Sequence, residues 1–154
     1  MQYFLLALLS MVFLWAEKIQ ITSDNMKAYE FKKEIHFIGN AKVVQLESWI
    51  HGDEIIVYFD EENQTKKYEA IGSVAFEIEQ KNIRYKGNAK KVVYHPKKAL
   101  YVLTGKAVID DLTNKRHVSG DEIVLDMKTG NAKVMGKENK PVKFIFDMEK
   151  KQSE

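Results

Sequence analysis

The side chains able to do chemistry are present but scattered. Four histidines, His36, His51, His95 and His117, stand well apart, none with a second histidine at the spacing a strand or helix would need to share a metal. They read as surface or strand-edge residues. Two carboxylate pairs, Asp53-Glu54 and Asp121-Glu122, could act as acid and base. Each follows a glycine and opens a β-branched run, in Gly52-Asp53-Glu54-Ile55-Ile56-Val57 and Gly120-Asp121-Glu122-Ile123-Val124-Leu125. A setting that recurs fits strand starts and turn amides better than an active site. No Ser/His/Asp order, nucleophile elbow or phosphate loop occurs. The sequence therefore predicts no enzyme, no metal and no cofactor. Lysine-rich patches at Lys66-Lys67, Lys90-Lys91, Lys97-Lys98 and from Lys137 to Lys151 read first as solvated rims that discourage edge aggregation.

What remains is apolar and periodic. Gly39-Asn40-Ala41-Lys42-Val43 returns as Gly72-Ser73-Val74-Ala75-Phe76 and as Gly105-Lys106-Ala107-Val108-Ile109, at spacings 72−39 = 33 and 105−72 = 33. Gly136 follows after 136−105 = 31. The Gly-Asp-Glu series runs out of phase with this one, with a looser copy at Gly87-Asn88-Ala89-Lys90-Lys91-Val92 and a truncated one at Ser23-Asp24-Asn25-Met26. Such periods mark stacked supersecondary units with a shared interior.

Between Ile19 and Phe146 the hydrophobic period is two. Short β-branched or aromatic runs such as Ile35–Ile38, Ile55–Phe59, Val74–Ile78, Leu100–Leu103 and Phe144–Phe146 alternate with turns at Asp60–Asn63, His95–Lys98, Thr113–Lys115 and Lys128–Asn131. This predicts an all-β fold of roughly a dozen short strands. Two antiparallel sheets would face each other, folded over at the glycines and built from repeats of about 33 residues. Counting by twos from each glycine, or from the Asp of the second motif, assigns one apolar face. It carries Ala41, Val43, Ile55, Val57, Phe59, Val74, Phe76, Ile78, Val92, Tyr94, Ile109, Ile123 and Leu125, with Ile21 at one end and Phe144 at the other. The opposite face carries Lys42, Glu54, Tyr58, Ala75, Glu77, Glu79, Lys91, Glu122 and Asp126. That is a sheet with a dry inside and a wet outside.

The chain has 154 residues, a formal charge of +2, two prolines and no cysteine. It is long enough for one core and has no disulfide framework, and its charge is too small to argue for nucleic acid. Residues 1–16 read as a signal peptide: an apolar run from Tyr3 to Trp15 spans about 20 Å as a helix, short of a hydrocarbon core of roughly 30 Å. Cleavage is expected after Ala16. The alternative is an uncleaved inner-membrane anchor; either way the body is exported. Residues 17–148 then form one domain and 149–154 a polar tail.

Ile19-Gln20-Ile21-Thr22-Ser23-Asp24, Phe37-Ile38-Gly39-Asn40-Ala41, Gly52-Asp53-Glu54, Leu103-Thr104-Gly105-Lys106-Ala107 and Gly120-Asp121-Glu122-Ile123 together resemble the OstA-like family, over nearly the whole mature chain. The resemblance implies a β-jellyroll open along one side. It implies a periplasmic protein that binds the acyl chains of lipopolysaccharide (LPS) inside, so that the fifteen inward residues named above become lipid-lining candidates. It also implies head-to-tail assembly by end-strand pairing, with an LptC-like inner-membrane component and an LptD-like outer-membrane component as partners. Phe59 and Tyr94, near strand ends, are candidates for the groove mouth, and the lysine patches gain a sharper reading as a rim for headgroup phosphate. Two alternatives stay open: an LptC-like anchored component of the same pathway, and a structural β-solenoid with a filled core and no ligand.

Overall fold

The computed structural model describes residues 18–148. The expected signal peptide and the expected tail at 149–154 lie outside them. Among the described residues ten strands form: β1 (Ile19–Thr22), β2 (Asn25–Tyr29), β3 (Glu34–Gln45), β4 (Ser48–Phe59), β5 (Thr65–Gln80), β6 (Ile83–His95), β7 (Leu100–Asp111), β8 (Arg116–Asp126), β9 (Asn131–Met135) and β10 (Lys143–Phe146). Six of them, β3 to β8, are 11 to 16 residues long, so the expectation of a dozen short strands is corrected. The short runs visible in the sequence are halves of longer strands, because the hydrogen-bond ladder resumes on the far side of each glycine.

The glycine is where the strand turns from one layer into the other. Gly39, Gly72 and Gly105 have φ of 84°, 84° and 85°, and the residue after each, Asn40, Ser73 and Lys106, is also left-handed at 46°, 43° and 47°. The β3–β4 ladder breaks between Ile38↔Glu54 and Ala41↔Gly52, leaving Gly39 and Asn40 opposite Asp53 alone. The same two-against-one count leaves Gly72-Ser73 opposite Lys90 and Gly105-Lys106 opposite Asp121. An extra residue on one strand bends it and re-aims its side chains. Left-handed φ would cost a residue with a Cβ roughly 1–2 kcal/mol, and glycine avoids that cost.

These creases divide each long strand between two layers. The first layer runs β1, β3, β4, β5, β6, β7, β8, β10, and the second replaces the ends with β2 and β9. All neighbours are antiparallel. The layers face each other, since one buried cluster draws Phe76 and Ile109 from the first and Ile55, Ala70, Val92, Leu103 and Ile123 from the second.

The free margins of the layers are turns laced to one another. On the second layer Lys33 Nζ donates to Asn63 Oδ1, Lys97 Nζ to Asp60 Oδ2 and Lys128 Nζ to the Lys97 carbonyl. On the first, the Glu79 amide donates to Ser48 Oγ and the Arg84 amide to Thr113 Oγ1. Each turn thus holds the next along both lips.

Candidate functional site: an apolar cleft between the layers

Residues paired across an antiparallel ladder point to the same face, so register alone lays out the interior. In the first layer one rung reads Ile21, Val43, Ile50, Phe76, Gly87, Ile109, Val118, Phe144. In the second, one reads Met26, Phe37, Ile55, Ala70, Val92, Leu103, Ile123, Val134, and the next Ala28, Ile35, Val57, Tyr68, Tyr94, Tyr101, Leu125, Ala132. These rungs carry no charged side chain across their whole width.

The rungs do not close on each other everywhere. Between the layers, toward β8, β9 and β10, lies a cavity of about 380 Å³. Leu103 and Ile123, 1% and 0% exposed, form its floor with Phe76, Val92 and Ile109. Ile50, Ile78, Tyr85, Tyr101, Val118, Leu125 and Val134 are its half-buried walls, and Phe144, 56% exposed, stands at its open end. Such a volume and lining are those of a small-molecule site.

Of the fifteen lining candidates, seven border this cleft: Phe76, Ile78, Val92, Ile109, Ile123, Leu125 and Phe144. Ala41, Ile55 and Val74 face the same interior but are packed in the buried cluster, and Val57 is buried beyond it. Ile21 and Val43 are half-buried on the first layer toward β1. Phe59 sits at the β4–β5 turn where the register shifts. Tyr94 is sandwiched in a tyrosine ladder, 6.2 Å from Tyr68 and 4.3 Å from Tyr101 between ring centroids, each pair at 19°. Burial pushes the Tyr101 phenol up to about 12, and Tyr94 is raised by burial and by Tyr68 beside it.

Counting forward from each glycine missed Ile50, Tyr85, Tyr101, Leu103, Val118 and Val134. Counting backward by twos from Gly52, Gly87, Gly105, Gly120 and Gly136 finds all six, because the inward parity holds up to each crease and resets after it.

Polar groups border the cleft only at its margins. Asp111, 6% exposed, accepts from the Thr113 and Asn114 amides, from Asn114 Nδ2 and from Arg116, whose Nη2 is 2.7 Å away. Burial pushes this carboxyl up, but the Asn114 and Arg116 hydrogen bonds outweigh it and leave the net shift downward. Asp126, assigned outward from the sequence, stands at the opposite lip. Other ionisable groups cluster on the outward face of the second layer. His36 is held 2.8 Å from both Glu34 and Glu54, and Glu34 first, then Glu54, raise its pKa against burial. That face is less uniformly charged than expected, since Ile56, Val93, Val102 and Val124 run along one rung of it. Branched side chains on neighbouring strands pack well against each other even on a wet face.

Residues 20–131 match the family described as LptA/(LptD N-terminal domain) LPS transport protein. The chain belongs to that family. Its fold is also that of LptH, the LptA-homologous periplasmic component of the conserved lipopolysaccharide transport device from Pseudomonas aeruginosa. The TM-score is 0.73 at 13% identity, over 86% of this chain and 96% of that one. No curated protein matches the sequence. Family and fold together make this an OstA-like β-jellyroll of the LPS-transport type.

Proposed function

We propose that this chain is a periplasmic, non-enzymatic LPS carrier whose cleft holds acyl chains. The observation that supports the reading best is an unfilled apolar trough between two laced lips, leading to open strand edges. Burying a methylene is worth about 0.8 kcal/mol, so several acyl chains on one lipid sum to tens of kcal/mol before entropy costs. Such a molecule does not cross water alone at a useful rate, and a continuous greasy groove removes that barrier. Open edges at each end would accept a strand from a neighbour, whether a second copy, an LptC-like component or an LptD-like one.

Photo-crosslinking side chains test this directly. At Val118, Tyr101 and Phe144 they should label LPS, while Glu77 and Glu122, on the outward face, should not. Labelling confined to the outward pair would sink the proposal.

A further inference from the structure

The three creases share one backbone geometry, so their side chains can be compared position by position. A Cβ on Gly39 would meet Asp24, and one on Gly72 would meet Asp53. A Cβ on Gly105 would meet the Lys90 side chain instead. The residue after the glycine changes in parallel. Asn40 donates to Asp24 Oδ2 at 3.2 Å, Ser73 is neutral, and Lys106 is cationic. Over the first two glycines an acid stands beside a neutral residue; over the third Lys90 stands beside Lys106, with Asp121 opposite on the ladder. Lys106 also holds a left-handed φ of 47°, which asparagine tolerates better than lysine.

Lys90 and Lys106 line a concave pocket of about 310 Å³ on this crease, with Lys137 and Lys140 across it. A two-way backbone bridge between Lys137 and Lys140, 2.9 Å each way, fixes those two residues opposite one another. Asp121, 3.4 Å from Lys137 Nζ, is the one acid in the lining. Four lysines and one carboxylate line this cavity, so it carries a net positive charge that a bound anion would offset.

We propose that this crease is a phosphate-binding site, separate from the apolar cleft and independent of the acyl-chain reading. Its ligand is a phosphate monoester or pyrophosphate group, supplied either by a lipid headgroup or by a free phosphate. Compact ammonium groups bind such a group as point charges.

The creases themselves supply the variants. Lys90→Asp installs the residue that stands over Gly39 and Gly72, and Lys106→Asn the residue at the first crease, so both suit their backbone. Lys98→Gln, on a rim turn, is the control. Pyrophosphate titration by calorimetry, and binding of lipid A against its dephosphorylated counterpart, read the site. The expected result is saturable binding weakened at least about tenfold by either crease variant, the loss of one charge-assisted hydrogen bond, and untouched by the control. Crease-dependent binding of pyrophosphate assigns a free phosphate. A crease-dependent preference for the phosphorylated lipid, with none for pyrophosphate, assigns a headgroup. Equal binding of all variants to both probes, or equal loss with Lys98→Gln, overturns the site. Loss of dephosphorylated lipid binding alone would count against the cleft and not against the crease.

Discussion

Leu103 and Ile55 offer a matched pair for asking whether the cleft is real space in solution. Both side chains are fully buried, at 1% and 2% exposure, both lie on the same rung of the second layer, and both lose three carbons on truncation to alanine. The transfer cost of those carbons is about 2.4 kcal/mol in each case. Both belong to the packed cluster, but Leu103 also lines the cleft, whereas Ile55 is not among the lining residues. Ile55→Ala leaves a sealed void, so the cavity penalty adds and the total should approach 4–5 kcal/mol, roughly the upper end for such truncations. Leu103→Ala only widens an existing opening and should cost about 2–3 kcal/mol. At roughly 2–4 °C per kcal/mol for a chain of this size, the two midpoints should separate by several degrees. Thermal and urea unfolding, each with and without an apolar dye, measure this. The dye should raise the Leu103→Ala midpoint and leave the deficit of Ile55→Ala relative to wild type unchanged. Equal losses and no dye rescue would mean that the layers close in solution, and the carrier reading would fall with them.

Three further outcomes follow from the geometry. Gly72→Ala should cost more than Gly130→Ala, because both have positive φ but only the Gly72 Cβ would strike a neighbour, Asp53; equal losses by urea titration would refute the crease packing. Tyr101 holds its proton up to about 12 when folded and loses it near the ordinary 10.0 when unfolded, so the stability it lends is complete below pH 10 and is lost as pH rises toward 12. Tyr101→Phe should flatten that alkaline decline, worth up to about 3 kcal/mol, although Tyr58, also raised to about 12, keeps part of it. Asp111 has a lowered folded pKa, so its contribution is present above the ordinary 3.8 and fades as pH falls through the folded value. Asp111→Ala should therefore lose about 2–4 kcal/mol at neutral pH, with the gap to wild type narrowing in acid unfolding.

The layer architecture was legible because three signals agreed: alternation, turn residues and a repeated glycine. Parity counted from Gly39, Gly72 and Gly105 set the inward face of residues 41, 43, 74, 76, 78, 107 and 109, and register pairs Val43, Phe76 and Ile109 along one rung. Strand length was not legible, since a glycine followed by a polar residue looks the same whether the chain stops pairing or bends and pairs again. Nor was the division between packed core and cleft. Ile55 and Ile123 are alike in type, parity and burial and share one packed cluster, yet Ile123 also lines the cleft, a difference decided by contacts far apart in sequence. Lys90, Lys137 and Lys140 of the third crease lay in charged patches visible in the sequence and Lys106 did not, and only the shared backbone geometry made Lys90 and Asp53 comparable.

The ends of the roll carry the last consequence. Among the described residues each layer has eight strands, an even number, so its first and last strands run in opposite directions and a second copy stacked end to end would pair antiparallel in both layers. Edge lengths match as well: β1 and β10 have four residues each, and β2 and β9 have five. The inward residues exposed at the ends, Met26 at 61% and Phe144 at 56%, would be covered by such a joint, extending the trough from one copy into the next. Because the chain has no cysteine, an engineered pair can report the joint without background. Gln20→Cys and Ile145→Cys lie on the same outward rung of opposite edges. Disulfide formation needs Cα atoms within about 7 Å, which strands 5 Å apart satisfy and distant edges do not. Mild oxidation of the double variant should give a ladder of covalent oligomers, while either single variant should stop at dimers or stay monomeric. A double variant that forms no species beyond those of the singles, at any protein concentration, would show that these edges do not meet.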